Sequence, residues 1–398
     1  MSLFAAVELA PRDPILGLTE QFNADPNPAK VNLGVGVYFD ANGKLPILAC
    51  VLEAEKQLAE APKPKGYLPI DGIAVYDRAV QELVFGADCP ALAQGRIATA
   101  QTLGGTGALK VGADFLKRLN PDVTVLISDP SWENHRALFT QAGFEVATYP
   151  YYDAAAQGVR FDAMLSTLQG ASSGSIVVLH ACCHNPTGYD LSASQWAQVV
   201  QTVKARGLVP FLDLAYQGFG DGIAEDGIAV QAFLQAELDF LVASSFSKSF
   251  SLYGERVGAL SVVCASKDEA TRVLSRLKVL IRGNYSNPST HGAEVVARVL
   301  TTPALRKMWE EELGGMRVRI RQMRQLLVQR LAAAGVVRDM EFILQQKGMF
   351  SYSGLSAAAM QRLRGDFGVY GLDSGRICVA ALNEGNIDRV SAAVANVA

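Results

Sequence analysis

The amino-acid sequence predicts an α/β protein: a large domain built on a mainly parallel sheet flanked by helices, plus a smaller α+β domain. Three observations carry that prediction. Between about residues 95 and 265, short β-rich runs alternate with longer helical stretches, the pattern of strand–helix–strand units around a parallel sheet. The β-rich runs are apolar almost throughout, as strands must be when helices cover both faces. Beyond the segment Tyr285 to Pro288 the alternation stops and a long charged helical region takes over. A chain of 398 residues also exceeds what one core usually organises, so two domains are expected.

In chain order the strand candidates are VTVLIS (Val123 to Ser128), FEVATY (Phe144 to Tyr149), SIVVLH (Ser175 to His180), LVPFLDLA (Leu208 to Ala215), FLVASS (Phe240 to Ser245) and ALSVVC (Ala259 to Cys264). Each is short and rich in β-branched or large apolar residues. Between two of them, QWAQVVQTVKARG is apolar at helical spacing and closes on a glycine, a helix stop. The helical region from about Pro303 to Ala334 carries arginines at 306, 317, 319, 321, 324 and 330, which read most simply as a solvated face. A short β-containing segment, FILQQKGMFSYSGL, then a helix, RICVAAL and a final helix form the second domain, completed by part of the first 45 residues.

A hydrophobic content of 49% with 19% charged residues describes a well-buried globular chain. Net charge is −3 with no long basic run, which argues against nucleic acid or an anionic membrane surface as partner. The N-terminal MSLFAAVELAPRDPILGL carries Glu8 and no basic region ahead of a long apolar stretch, so no signal peptide is expected. No window reaches the uninterrupted apolar length of a membrane span. Six cysteines are scattered irregularly, with Cys182 and Cys183 adjacent. That usage suits reduced thiols rather than a disulfide framework, and places the protein in the cytoplasm.

The chemistry concentrates where open α/β sheets bind ligands, just beyond strand C-termini. SSFSKSFSLYGERVG (Ser244 to Gly258) sets Lys248 among hydroxyls after an apolar run, with a second cation, Arg256, eight positions on. Burial and neighbouring positive charge lower a lysine pKa, which is how carbonyl-attacking amines are activated. Serine hydroxyls with an arginine also suit a phosphate, so the segment reads as a lysine holding a phosphorylated aldehyde as an imine. GGTGALK (Gly104 to Lys110) opens a helix with small residues that let backbone N–H groups reach an anion. It has neither Walker A spacing nor the third glycine of a dinucleotide fingerprint.

DPSWENH (Asp129 to His135) offers Trp132 as a flat apolar face for an aromatic ring. HACCHNPTG (His180 to Gly188) supplies Asn185 on a turn, and its adjacent cysteines lack the spacing of a zinc site. FLDLAYQG (Phe211 to Gly218) buries Asp213 in an apolar strand and ends it with Tyr216. A buried carboxylate needs a cationic partner, and a protonated pyridine nitrogen is one.

These segments, with VNLGVGVY, GYLPIDG, RGNYSNPSTHG, GMFSYSGL and SGRICVA in the same order, resemble the class I, fold-type I pyridoxal-phosphate aminotransferases, in the aspartate and aromatic amino-acid subgroup. The resemblance runs essentially end to end. It implies a fold-type I transferase whose large domain holds a seven-stranded, mainly parallel sheet. The implied boundaries are an arm and part of the small domain in residues 1–45, the cofactor domain in 46–312, and the small domain in 313–398. Lys248 would bond pyridoxal phosphate as an imine and then shuttle the substrate proton. Asp213 would keep the pyridine nitrogen protonated, and Tyr216 and Asn185 would bond the phenolic oxygen. Gly105, Thr106, Ser245, Ser247 and Arg256 would hold the phosphate, joined by Tyr67 from a second subunit. Trp132 would stack on the ring, while His135, and His180 with it, would support Asp213.

For substrate, the resemblance assigns the α-carboxylate to Arg376, which Gly36 and Asn185 flank. It gives the distal carboxylate of dicarboxylic substrates to Arg282 across a homodimer interface. SFSKSFSLYGERVG, ENH and AALN look closest to the tyrosine-type enzymes, which implies transfer between tyrosine or phenylalanine and 2-oxoglutarate, with aspartate also accepted. The alternative within the subgroup is an aspartate aminotransferase preferring dicarboxylates. A nicotinamide dehydrogenase would need a dinucleotide fingerprint, which is absent. A non-catalytic regulator would carry a DNA-binding domain or lack Lys248 or Arg376. Other pyridoxal chemistry, such as decarboxylation, starts from the same imine and stays open on chemical grounds alone.

Overall fold

The computed structural model describes residues 2–10 and 16–398. Met1 and residues 11–15, part of the stretch read above as free of a signal peptide, lie outside the described residues. The chain divides into two compact units: residues 45–322 with 345–348, and residues 1–44 with 323–344 and 349–398. Among the described residues no helix is long and apolar enough to cross a membrane.

The larger unit is organised by seven strands: β1 (Ile97–Leu103), β2 (Thr124–Asp129), β3 (Glu145–Pro150), β4 (Ile176–His180), β5 (Val209–Leu214), β6 (Phe240–Ser245) and β7 (Val257–Val263). Their spatial order is β1-β7-β6-β5-β4-β2-β3. β7 is antiparallel to both its neighbours, and every other pair is parallel. The seven-stranded, mainly parallel sheet is therefore present. Six strands coincide within two residues with the apolar runs picked out above.

The seventh strand, β1, reads IATAQTL and is not among those runs. Thr99, Gln101 and Thr102 are buried there yet satisfied: Thr99 Oγ1 lies 2.9 Å from Ser261 Oγ on β7, Gln101 donates to Ser289 O at 2.6 Å, and Thr102 donates to Gly104 O at 3.0 Å. Its polar residues find partners that composition does not show.

Helices α1 (Gly104–Leu119), α2 (Glu133–Gln141), α3 (Ala193–Arg206) and α4 (Lys267–Asn284) belong to the same unit. α3 begins with a capping box. Ser192 Oγ accepts from Gln195 N at 3.3 Å, and Gln195 Oε1 accepts from Ser192 N at 2.8 Å. It ends on Gly207 in the left-handed conformation, the stop that its sequence announced. Leu109, Phe115, Phe139, Phe211, Leu241 and Leu260 meet in the core that joins helices to sheet. Each such side chain contributes about 1.5–3 kcal/mol by leaving water.

α5 (Pro303–Ala333) is divided between the units at Gln322–Met323. Arg321 and Arg330 keep the solvated face expected of them, Arg321 also donating to Gly220 O at 2.7 Å. Two others depart from it: Arg317, partly buried, donates to Gly218 O at 2.7 Å, and Arg324 is only 3% exposed. Backbone carbonyls distant in sequence draw these two charges in.

In the smaller unit, β8 (Phe350–Tyr352) pairs antiparallel with β9 (Arg376–Cys378), and the two-residue strands Val31–Asn32 and Val369–Tyr370 pair in parallel. α6 (Ala357–Phe367) and α7 (Ile387–Ala395) bury Met360, Leu363, Ile387 and Val390. The first 44 residues thus join the C-terminal segments through the sheet ladder at Val31.

Candidate active site

Parallel strands bring four chain segments to one edge of the sheet. Asp213 sits near the end of β5, directly between His180 on β4 and Ala243 on β6 in the ladder. Ser131 and Trp132 follow β2, Asn185 lies in the loop after β4, and Ser247 and Lys248 occupy the turn after β6. Parallel pairing is what brings residues so far apart in sequence to the same level.

Asp213 is 6% exposed, and its Oδ2 lies 3.0 Å from His135 Nε2. His135 is fully buried, and its Nδ1 lies 2.9 Å from Ser131 Oγ. Burial alone would raise the Asp213 carboxyl. The hydrogen bond and charge of His135, with His180 and Lys248 nearby, outweigh it and hold the group below the usual carboxylate range. The His180 ring packs 4.9 Å from that of His135, and burial drives its pKa down to about 3, so it stays neutral. Beyond it the His184 ring follows at 4.3 Å, held by Ser128 Oγ and Thr187 Oγ1, each at 2.9 Å. Trp132, partly buried, meets the His135 ring edge-on at 5.3 Å.

Lys248 Nζ lies 4.8 Å from the centre of the Tyr216 ring. Burial lowers the ammonium pKa, Asp213 opposes that effect and Arg256 reinforces it, leaving the amine at about 8. A simple consequence is measurable. Because only the neutral amine attacks a carbonyl, uptake of an aldehyde by the ligand-free enzyme should speed up with rising pH, with a midpoint near 8. A midpoint at the ordinary lysine value of 10.5 would contradict this electrostatic reading.

An anion cup lies close by. Ser245 Oγ donates to Ser247 Oγ at 3.2 Å, and Arg256 Nη1 reaches Ser247 Oγ at 3.5 Å and Tyr253 O at 2.9 Å. α1 begins at Gly104 without a side-chain cap, which leaves its first-turn N–H groups without a capping side chain. Gly104 has φ +69, and a Cβ there would meet the Arg256 guanidinium at 2.5 Å. At Gly258 a Cβ would meet the Gly104 carbonyl carbon at 2.4 Å. Gly105 faces Ser245, whose Cβ would lie 3.0 Å from an added methyl, and Thr106 follows it in the first turn. Two chain segments touch here only because both are side-chain-free.

The Asn185 loop is held by a carboxylate. Asp190 accepts from the N–H of Cys183 at 2.8 Å and of His184 at 2.9 Å. Burial raises Asp190 to about 6 against the pull of those two bonds. Asn185 itself is 5% exposed, and Tyr216 is 6% exposed.

The smaller unit carries its own cluster. Arg376, 1% exposed, donates from Nη2 to Gly34 O at 2.7 Å, and its guanidinium carbon stands 4.3 Å from the centre of the Phe350 ring. Gly36 makes room for that ring, since a Cβ there would come within 2.7 Å of Phe350 Cζ. Two expected residues are not part of either cluster. Tyr67 is 94% exposed on the loop before the helix Ala74–Phe85, and Arg282 is exposed in the last turn of α4, where it bonds Ser286 Oγ.

Ser131, Gly34, Gly258, His184 and Phe350 escape sequence reasoning. Ser131 had a usable signal, being four residues before His135 at a helix start. The others are set by contacts between distant segments.

A glycine-walled anion cup, an amine tuned to about 8 and a buried, deprotonated carboxylate fit pyridoxal phosphate. Fold and donor set together define a pyridoxal-phosphate-dependent transferase. The chain belongs to the class I and II aminotransferases, whose family model, described as "Aminotransferase class I and II", matches residues 28–394. It is 61% identical to an aspartate aminotransferase of Pseudomonas aeruginosa over the whole of both chains. It is 54% identical to the aromatic-amino-acid aminotransferase of Escherichia coli, covering 99% of this chain and 100% of that one. Among solved structures, the aromatic-amino-acid aminotransferase of Burkholderia pseudomallei, covalently bound to pyridoxal phosphate, superimposes with a TM-score of 0.98 at 65% identity over the full length of both chains. The protein is a transaminase acting on amino acids and 2-oxo acids.

Proposed function

We propose that the enzyme is an aromatic amino-acid aminotransferase, exchanging the amino group of tyrosine or phenylalanine, and also of aspartate, with 2-oxoglutarate. The observation that carries this is the full-length likeness to the Burkholderia pseudomallei aromatic enzyme, together with retention of Arg282. A second reading, an aspartate aminotransferase preferring dicarboxylates, is favoured by the Pseudomonas aeruginosa relative.

When bound, pyridoxal phosphate supplies the electron sink that makes the substrate Cα–H acidic and carries the amino group between half-reactions. Lys248 would hold the cofactor through its amine and would move the proton at the substrate Cα. Asp213, kept anionic by the His135 hydrogen bond with Lys248 nearby, would hold the proton on the pyridine nitrogen. Tyr216 and Asn185 would donate to the phenolic oxygen, and Trp132 would cover the ring. Gly105, Thr106, Ser245, Ser247 and Arg256 would hold the phosphate. Arg376 clamps the α-carboxylate by a two-pronged pair, for which its planar guanidinium is suited.

We further propose a homodimer in which the partner subunit's Tyr67 and the partner subunit's Arg282 complete the site, at the phosphate and the distal carboxylate respectively. Supporting this, Tyr67 is 94% exposed, and the N-terminal segment presents Leu3, Phe4, Val7 and Leu9 to solvent. Six buried cysteines, none of them in a disulfide, support a cytoplasmic setting.

Catalytic efficiency for tyrosine, phenylalanine, aspartate and leucine with 2-oxoglutarate tests the substrate assignment. Aspartate exceeding tyrosine by orders of magnitude would replace it with the second reading. Arg282→Ala should cost aspartate roughly ten- to a hundredfold, the worth of one charged hydrogen-bonded pair. Because 2-oxoglutarate is itself a dicarboxylate, tyrosine must be followed in its single half-reaction, where the loss should stay within about threefold. Equal losses for both amino acids would refute the role given to Arg282.

A further inference from the structure

The smaller unit buries a second arginine with no place in the chemistry above. Arg324, on α5, donates from Nη2 to Phe350 O at 2.6 Å and from Nε to Ser351 Oγ at 3.3 Å. Both acceptors belong to β8, whose register places Tyr352 opposite Arg376, Ser351 opposite Ile377 and Phe350 opposite Cys378. Ser351 and Arg376 are at most 1% exposed, and Phe350 is 3% exposed. The Phe350 ring is fixed on one side by the absence of a side chain at Gly36 and lies against the Arg376 guanidinium at 4.3 Å. Gly34 O holds the same guanidinium from another direction at 2.7 Å.

A guanidinium that must meet a carboxylate with both prongs tolerates little rotation. Gly34 O holds one of its nitrogens, and the Phe350 ring lies against the guanidinium face at 4.3 Å. A ring packed on that face limits tilt of the guanidinium plane, provided its own backbone does not shift. Two charged hydrogen bonds from a buried arginine, one of them to the Phe350 carbonyl itself, supply that constraint.

We propose that Arg324 is a positioning residue for substrate binding: by holding Phe350 and Ser351 of β8 it sets the Phe350 ring against Arg376 and so orients the guanidinium that takes the α-carboxylate. The proposal rests on the reading of Arg376 as that clamp. Because the α-carboxylate is common to all substrates, the effect falls on tyrosine and aspartate alike, in contrast to the selective effect of Arg282.

The test uses the holoenzyme, four single variants and one double variant. Arg324→Met keeps length and packing but removes both donors, Arg324→Lys keeps one, and Phe350→Leu leaves Arg324 intact but removes the ring. Arg376→Ala tests the underlying reading. Arg324→Met should raise KM for tyrosine and for aspartate by about tenfold while kcat falls less than about threefold, the signature of weakened binding before the chemical step. Phe350→Leu should reproduce that split, Arg324→Lys should lie between Arg324→Met and the unaltered enzyme, and the Arg324→Met/Phe350→Leu double variant should be no worse than the poorer single variant. An unchanged KM in Phe350→Leu overturns the proposal even if Arg324→Met does not fold. A loss in kcat alone, or strictly additive effects in the double variant, also overturns it. If Arg376→Ala leaves KM unmoved, the clamp assignment fails instead, which separates the two ideas.

Discussion

Lys248→Ala should abolish transamination of every amino acid tested, lowering kcat by at least about four orders of magnitude, because one side chain supplies both the covalent anchor and the proton shuttle. The geometry explains why no neighbour can substitute. Lys248 is the amine facing the Tyr216 ring, at 4.8 Å, and burial holds its pKa at about 8. The other cation of the segment, Arg256, is engaged by Ser247 and Tyr253 and cannot become a neutral nucleophile. Borohydride reduction of the holoenzyme should attach the cofactor at Lys248, found by peptide mapping. A label on another lysine, or substantial turnover by Lys248→Ala, would sink the assignment.

Arg376→Ala should cost about 2–5 kcal/mol of transition-state stabilisation, roughly thirty- to several-thousand-fold in kcat/KM, the range for truncating one partner of a buried charge pair. The loss should be similar for tyrosine, phenylalanine and aspartate, since the α-carboxylate is the part they share. The guanidinium is 1% exposed and already oriented by Gly34 O and Phe350, so removing it takes away the buried charged donors proposed to meet the carboxylate. A lysine in its place would restore charge without the fork and should recover only part of the loss. If aspartate suffers and tyrosine does not, Arg376 is reading the distal carboxylate and the two arginine roles must be exchanged.

Much of this was legible beforehand because the relevant signals are local. Asp213 stood out as a carboxylate inside an apolar strand, and the ladder sets it beside His180. The six apolar runs became strands because parallel sheets covered by helices leave little choice of composition. β1 was missed for the converse reason: the partners of Thr99 and Gln101 are Ser261 and Ser289, far away in sequence. Arg324 misled in the same way. On a helix crowded with charges it resembles its exposed neighbours, and only the carbonyl of Phe350 makes it a buried residue. Seven strands and the roles of Arg282 and Tyr67 came from likeness to a family, since neither spacing nor periodicity contains them.

The antiparallel strand β7 carries a consequence for how the enzyme is made. The anion cup needs Gly104, at the end of β1, and Arg256 with Gly258, at the start of β7, in direct apposition. β1 leaves the ribosome early and must wait for most of the large unit before its neighbour exists. The closure between them is a contact of high sequence separation, the kind that forms slowly. The phosphate seat therefore exists only where β1 and β7 have paired: before that, the lysine is in the sequence but Gly104 and Arg256 are not apposed beside it.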